Sequence, residues 1–147
     1  MIVMQDIEII DVDVAEAMRA LEGKPDAQLI DVRTTAEWAF VGYPQLETIG
    51  KAVIFVEWQS FPDKANNTGF VPQVVAQLEA RNVGMNAELY FICRTGVRSL
   101  HAAREMNSVG YLASFNVAKG FEGSQNDAHQ RGLIDGWKAA GLPWKQG

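Results

Sequence analysis

Short apolar runs alternate along this chain with segments of helical periodicity, and that alternation restricts the fold more than any other feature. Gln28-Leu29-Ile30-Asp31-Val32, Ala52-Val53-Ile54-Phe55-Val56, Glu88-Leu89-Tyr90-Phe91-Ile92 and Ser114-Phe115-Asn116-Val117 read as strands, with Ile7 to Ile10 as a first short strand or lead-in. Asp13 and Glu16 make a capping box ahead of a helix whose Val14, Ala17, Met18 and Leu21 share one face, ended by Gly23-Lys24-Pro25-Asp26. Thr34 and Thr35 can cap a short helix through Trp38, and Gly42-Tyr43-Pro44 opens a loop. Residues 57–69 read as a long loop, followed by a helix from Phe70 to Asn82 with Pro72 in its first turn and Val71, Val74, Val75 and Leu78 as its apolar stripe. A further helix runs from Ser99 to near Val109 and stops at Gly110. Strands in alternation with helices imply an α/β fold with a largely parallel central sheet. Sites in such sheets lie at the carboxyl ends of the strands, and Cys93 stands at one of these ends.

The length of 147 residues fits a single domain, 1–147, with residues 124–147 as a C-terminal extension packed on it by Trp137 and Trp144. A 48% hydrophobic and 21% charged composition supplies a sizeable core. The net charge of −5 disfavours general nucleic-acid binding, while leaving room for a local basic site for a small anion. With one cysteine no intramolecular disulfide forms, so the fold does not depend on an oxidising compartment. The first residues lack the pattern of a secretory signal, and no run approaches the roughly 18 apolar residues of a membrane helix, so the cytoplasm and no membrane partner are expected. No Cys or His pair has metal-ligand spacing and no nucleotide-type glycine signature is present; neither metal nor cofactor is expected.

The segment that carries chemistry is Cys93-Arg94-Thr95-Gly96-Val97-Arg98-Ser99, joining a buried strand to a helix. Its backbone N–H groups can turn inward as an anion-binding nest, and the helix adds unpaired N–H groups and the positive end of its dipole. Gly96 permits a backbone conformation closed to other residues. Arg94 and Arg98 add two positive charges. A lone cysteine after an apolar strand is usually a small buried hydrophobe. Two arginines around a glycine point instead to a thiolate nucleophile, to a persulfide anion and to an anionic donor such as thiosulfate.

These residues resemble the rhodanese-like domain family. Asp31-Val32-Arg33 with Glu37-Trp38 and Gly42 is similar to its early motif, Ile92 to Ser99 to its active-site loop, Gly120-Phe121-Glu122-Gly123 to the turn after the next strand, and Gly136-Trp137-Lys138 with Gly141-Leu142-Pro143-Trp144 to a C-terminal ending common in single-domain members. The resemblance implies a rhodanese fold, a parallel sheet of about five strands with helices on both faces. It implies a sulfurtransferase with Cys93 as persulfide carrier and Arg94, Thr95, Gly96, Val97, Arg98 and Ser99 as the cradle. The partners it implies are a small anionic sulfur donor and a cyanide or thiol acceptor, with a sulfur-carrier protein as a further acceptor. Asp31 and Arg33 are read as a structural ion pair or strand-end hydrogen bonds. The family often has His where Tyr43 stands. The segment Ser124 to Ile134 could form a flap that brings His129 to the site, although a lone loop histidine is more often solvated. His101 is assigned no role, and Trp58 and Phe61 are expected to pack rather than to line a pocket mouth.

Two other functions compete. Cysteine phosphatases and arsenate reductases place five residues between Cys and Arg, against four between Cys93 and Arg98, and Ile92 stands where tyrosine phosphatases usually have His. A non-catalytic rhodanese-like interaction module is the other, and retention of Cys93 and both arginines argues against it.

Overall fold

The computed structural model describes residues 7–146. Its centre is a parallel five-stranded sheet in the order β1-β6-β5-β2-β4, built from β1 (Asp11–Val12), β2 (Gln28–Asp31), β4 (Ile54–Phe55), β5 (Leu89–Ile92) and β6 (Ser114–Val117). Every residue of β2 and β5 is buried, which is why these segments read as continuous rather than alternating apolar runs. The period of two still sorts them. Ile30, Leu89 and Phe91 face one core with α3 (Phe70–Ala80) and α4 (Val97–Ser108). Leu29, Tyr90 and Ile92 face the other, with α1 (Val14–Gly23) and Trp137 of α5 (Gly136–Ala139). Helices therefore cover both faces, and each fully buried Leu or Phe contributes about 1.5–3 kcal/mol.

Capping chemistry sets the helix starts. Asp13 accepts the Glu16 N–H at 2.7 Å, and Thr34 accepts the Glu37 N–H at 3.3 Å to open α2 (Thr35–Phe40).

Several expectations are corrected. The first strand is Asp11–Val12, not Ile7 to Ile10; only Asp11 and Val12 register with β6, and Ile10 is 64% exposed. Helix α4 begins at Val97 rather than Ser99, because Gly96 serves as its N-cap without a side-chain bond. Tyr43–Pro44 is a short strand, β3, paired antiparallel with β7 (Trp144–Lys145). That pairing draws the C-terminal segment against the domain. Trp137 is fully buried there and donates its indole N–H to the Pro143 carbonyl at 2.7 Å. In the long loop, Trp58 packs edge-on against Phe70 at 5.0 Å, whereas Phe61 stands 66% exposed.

Candidate active site

Strand β5 lies in the interior of the sheet between β6 and β2, so its carboxyl end meets the loops that leave both neighbours. Cys93 follows it directly and is 1% exposed. Its sulfur is nevertheless turned into the loop. The Gly96 N–H donates to Sγ at 3.1 Å, and Ser99 Oγ lies 3.2 Å away. Gly96 achieves this with φ of +105°, a conformation that L side chains rarely adopt.

The loop is shaped from behind by the turn after β6. Phe121 N–H donates to the Cys93 carbonyl at 2.8 Å, and Glu122 N–H to the Arg94 carbonyl at 3.0 Å. With both carbonyls bound on the far side, the loop is held in the course that brings the Gly96 N–H to the sulfur. Gly120 is required here, since a Cβ on it would lie 2.7 Å from the Arg94 carbonyl carbon. The motif Gly120-Phe121-Glu122-Gly123 is thus a mould for the cysteine loop.

The residues expected at the site do not all converge on the sulfur. Cys93, Gly96 and Ser99 come together. Thr95 is half-buried, and Val97 is 64% exposed and contributes only backbone. Arg94 is exposed and lines a cleft of about 650 Å³ together with Arg98, Glu37, Phe40, Phe61 and Lys64. Phe61 therefore belongs to the cleft, correcting the packing expected for it. Arg98 does not present a free charge: its guanidinium forms a two-point pair with Glu37, Nη1–Oε1 at 2.7 Å and Nη2–Oε2 at 3.0 Å. Burial would push the Glu37 carboxyl up, but Arg98, the Thr34 N–H and the charge of Arg33 outweigh it and hold it below its ordinary value. Burial opposes the charge on Arg98 too, and Glu37, with smaller contributions from Cys93 and Asp31, raises it above its ordinary value. The capping box of α2 fixes Glu37 and Glu37 fixes Arg98, which makes Glu37 a site residue that sequence reasoning placed only in a motif.

Asn116 is the other residue missed. It is buried in β6, and its Oδ1 lies 2.6 Å from Ser99 Oγ. A buried Asn in an apolar strand was the available signal, since such a group must find partners. Asp31 and Arg33 form a fully buried ion pair at 2.7 Å, with the guanidinium also over the Phe121 ring at 4.3 Å. His129 sits in an exposed turn and does not line the cleft; the loop around it is tied by Ser124 to Asp135 rather than laid over Cys93. Among the described residues no three His, Cys, Asp or Glu side chains come together as a metal site.

Comparison with known proteins finds both a matching family and a shared fold. A family model described as STR4 middle domain matches residues 11–147. An uncharacterized protein of Rickettsia conorii is 36% identical over 130 residues, covering 88% of this chain and 92% of that one. The crystal structure of Rv0390 from M. tuberculosis superposes with a TM-score of 0.84 at 37% identity, covering 96% of this chain and 100% of that one. The chloroplastic protein THYLAKOID RHODANESE-LIKE of Oryza sativa subsp. indica is 28% identical over 133 residues, 90% of this chain but 24% of that protein. The polysulfide-sulfur transferase homodimer from Wolinella succinogenes shares the fold, with a TM-score of 0.59 at 18% identity over 95% of this chain and 80% of that one.

Proposed function

Because this chain belongs to the STR4 middle domain family, a rhodanese-like family, we propose that it is a sulfurtransferase that carries a sulfane sulfur on Cys93. One observation carries the reading: the single cysteine of the chain directly follows an interior strand, with its sulfur turned into the loop and bonded by the Gly96 N–H. Such a socket suits negative sulfur, and the start of α4 adds its dipole.

In the proposed cycle the Cys93 thiolate attacks the outer sulfur of a donor such as thiosulfate. The donor S–S bond breaks, sulfite leaves with the bonding pair, and the outer sulfur stays on Sγ as a persulfide anion. Cyanide or a thiolate, free or on a carrier protein, then attacks that outer sulfur and Cys93 departs as thiolate. No external oxidant is consumed. The donor would enter through the cleft, where exposed Arg94 supplies the cation that meets it. This chemistry suits the cytoplasm, where thiols stay reduced.

The test is mass spectrometry after incubation with thiosulfate. The expected result is a gain of one sulfur on Cys93, removed by cyanide and absent in Cys93→Ser. No adduct with any of several donors overturns the reading. The 1% exposure of Cys93 favours one rival, a binding module in which the cysteine only packs. In that case Cys93→Ala would keep the biological effect of the protein, whereas a sulfurtransferase would lose it.

A further inference from the structure

The sulfur is the end of a hydrogen-bonded chain that reaches the edge of the sheet. The Asn116 side-chain amide nitrogen donates to Asp11 Oδ1 at 2.9 Å and to the Gly96 carbonyl at 3.1 Å. Both partners only accept, so the orientation of the amide is fixed with Oδ1 toward Ser99. Oδ1 also only accepts, and at 2.6 Å it takes the single hydroxyl proton of Ser99. Ser99 Oγ is also within donor reach of Sγ, at 3.2 Å, but its one proton cannot serve both, and with it on Oδ1 a lone pair faces the sulfur.

We infer that Asn116, held by Asp11, sets the direction of the Ser99–Cys93 hydrogen bond, so that Ser99 accepts the thiol proton and this one contact opposes the preference for negative sulfur that the Gly96 N–H and the helix dipole supply. The protonated sulfur donates S–H to Ser99 and every member of the chain is satisfied. An ionised sulfur, its proton released to solvent, faces a lone pair unless the Ser99 hydroxyl swings to it. That swing leaves Oδ1 of a buried Asn116 without its partner, which is costly. The relay therefore favours the resting thiol over the free thiolate. Asn116 and Asp11 are positioning residues that act through Ser99.

The charged groups around the sulfur are Arg98 of α4 with Glu37 of α2, Arg94 of the loop, Asp31 at the end of β2 with Arg33 beyond it, and Asp11 of β1. Among the described residues only the Gly96 N–H and Ser99 bond to Sγ; Asn116→Leu also takes the amide from Asp11 and from the Gly96 carbonyl, and the Ser99→Ala background controls for both.

The single cysteine makes the test clean. The pH dependence of Cys93 alkylation by iodoacetamide is measured for wild type, Asn116→Leu, Ser99→Ala and the double variant. Without Oδ1 the Ser99 proton turns to the sulfur, and the alkylation midpoint of Asn116→Leu falls by about one pH unit, the scale of one hydrogen bond. In the Ser99→Ala background the same replacement shifts nothing. An unchanged or raised midpoint, or a shift that persists without Ser99, overturns the inference. Infrared spectroscopy below the midpoint tests it without altering Asn116: the S–H stretch of wild type lies at lower frequency than that of Ser99→Ala, and equal frequencies overturn it. Sulfur loading, read by mass, reports separately on the proposed transfer reaction.

Discussion

Two arginine–carboxylate pairs stand near the carboxyl end of the sheet, and they differ in depth. Asp31–Arg33 is 0% exposed on both sides, with contacts of 2.7 and 3.0 Å and a further bond from Arg33 to the Gly42 carbonyl at 2.9 Å. Among the described residues Arg33 Nη1 has no hydrogen-bond partner, and the guanidinium rests on Phe121. Glu37–Arg98 has the same chemistry but is 20% and 22% exposed and forms part of a cleft wall. The deep pair holds strand end, β3 and the loop-shaping turn together and touches nothing that enters. The shallow pair withholds a positive charge from the cleft by giving it a fixed partner. Identical functional groups serve architecture at one depth and electrostatic tuning at the other.

Breaking the deep pair has the largest expected effect. Arg33→Met strands the Asp31 charge and costs about 3–5 kcal/mol by urea unfolding, while Asp31→Leu with Arg33→Met costs less than the single change. The shallow pair yields less: Glu37→Gln lowers stability by about 1–2 kcal/mol. It also frees Arg98 toward the cleft and raises the rate of thiosulfate loading, followed by mass. Because Glu37 is held below its unfolded value, its contribution is complete above the ordinary carboxylate range and is lost as pH falls through the lowered folded value. The stability gap between wild type and Glu37→Gln therefore begins to close below about pH 5 in urea titrations. Val97→Ala, in the same loop but outside either pair, stays within about 0.5 kcal/mol of wild type and loads sulfur at the same rate.

What the sequence disclosed was what is local. The capping box at Asp13, the helix expected over Phe70 to Asn82 and found over Phe70–Ala80, and the loop from Cys93 to Ser99 each lie within one contiguous stretch, where period and residue type suffice. The α/β class followed from the alternation of those stretches. The Arg98–Glu37 pair and the Asn116–Ser99 contact join segments far apart in the chain, and no spacing rule links a charge or an amide to a distant partner. Ser99 misled for a physical reason: a serine near a helix start usually caps it, whereas this one lies inside the first turn, fully buried, and bonds the sulfur and Asn116. Two-residue strands such as Tyr43–Pro44 carry no periodicity to detect.

The turn at Gly120 implies that the sulfur's surroundings are cast before any substrate arrives. Chain that folds against the back of the loop, rather than the incoming molecule, bears the entropic cost of aligning that loop. A lesion at Gly120 would accordingly warp the receptacle while leaving all seven of its own residues intact, so that heredity could silence this protein from a position that never meets what the protein handles.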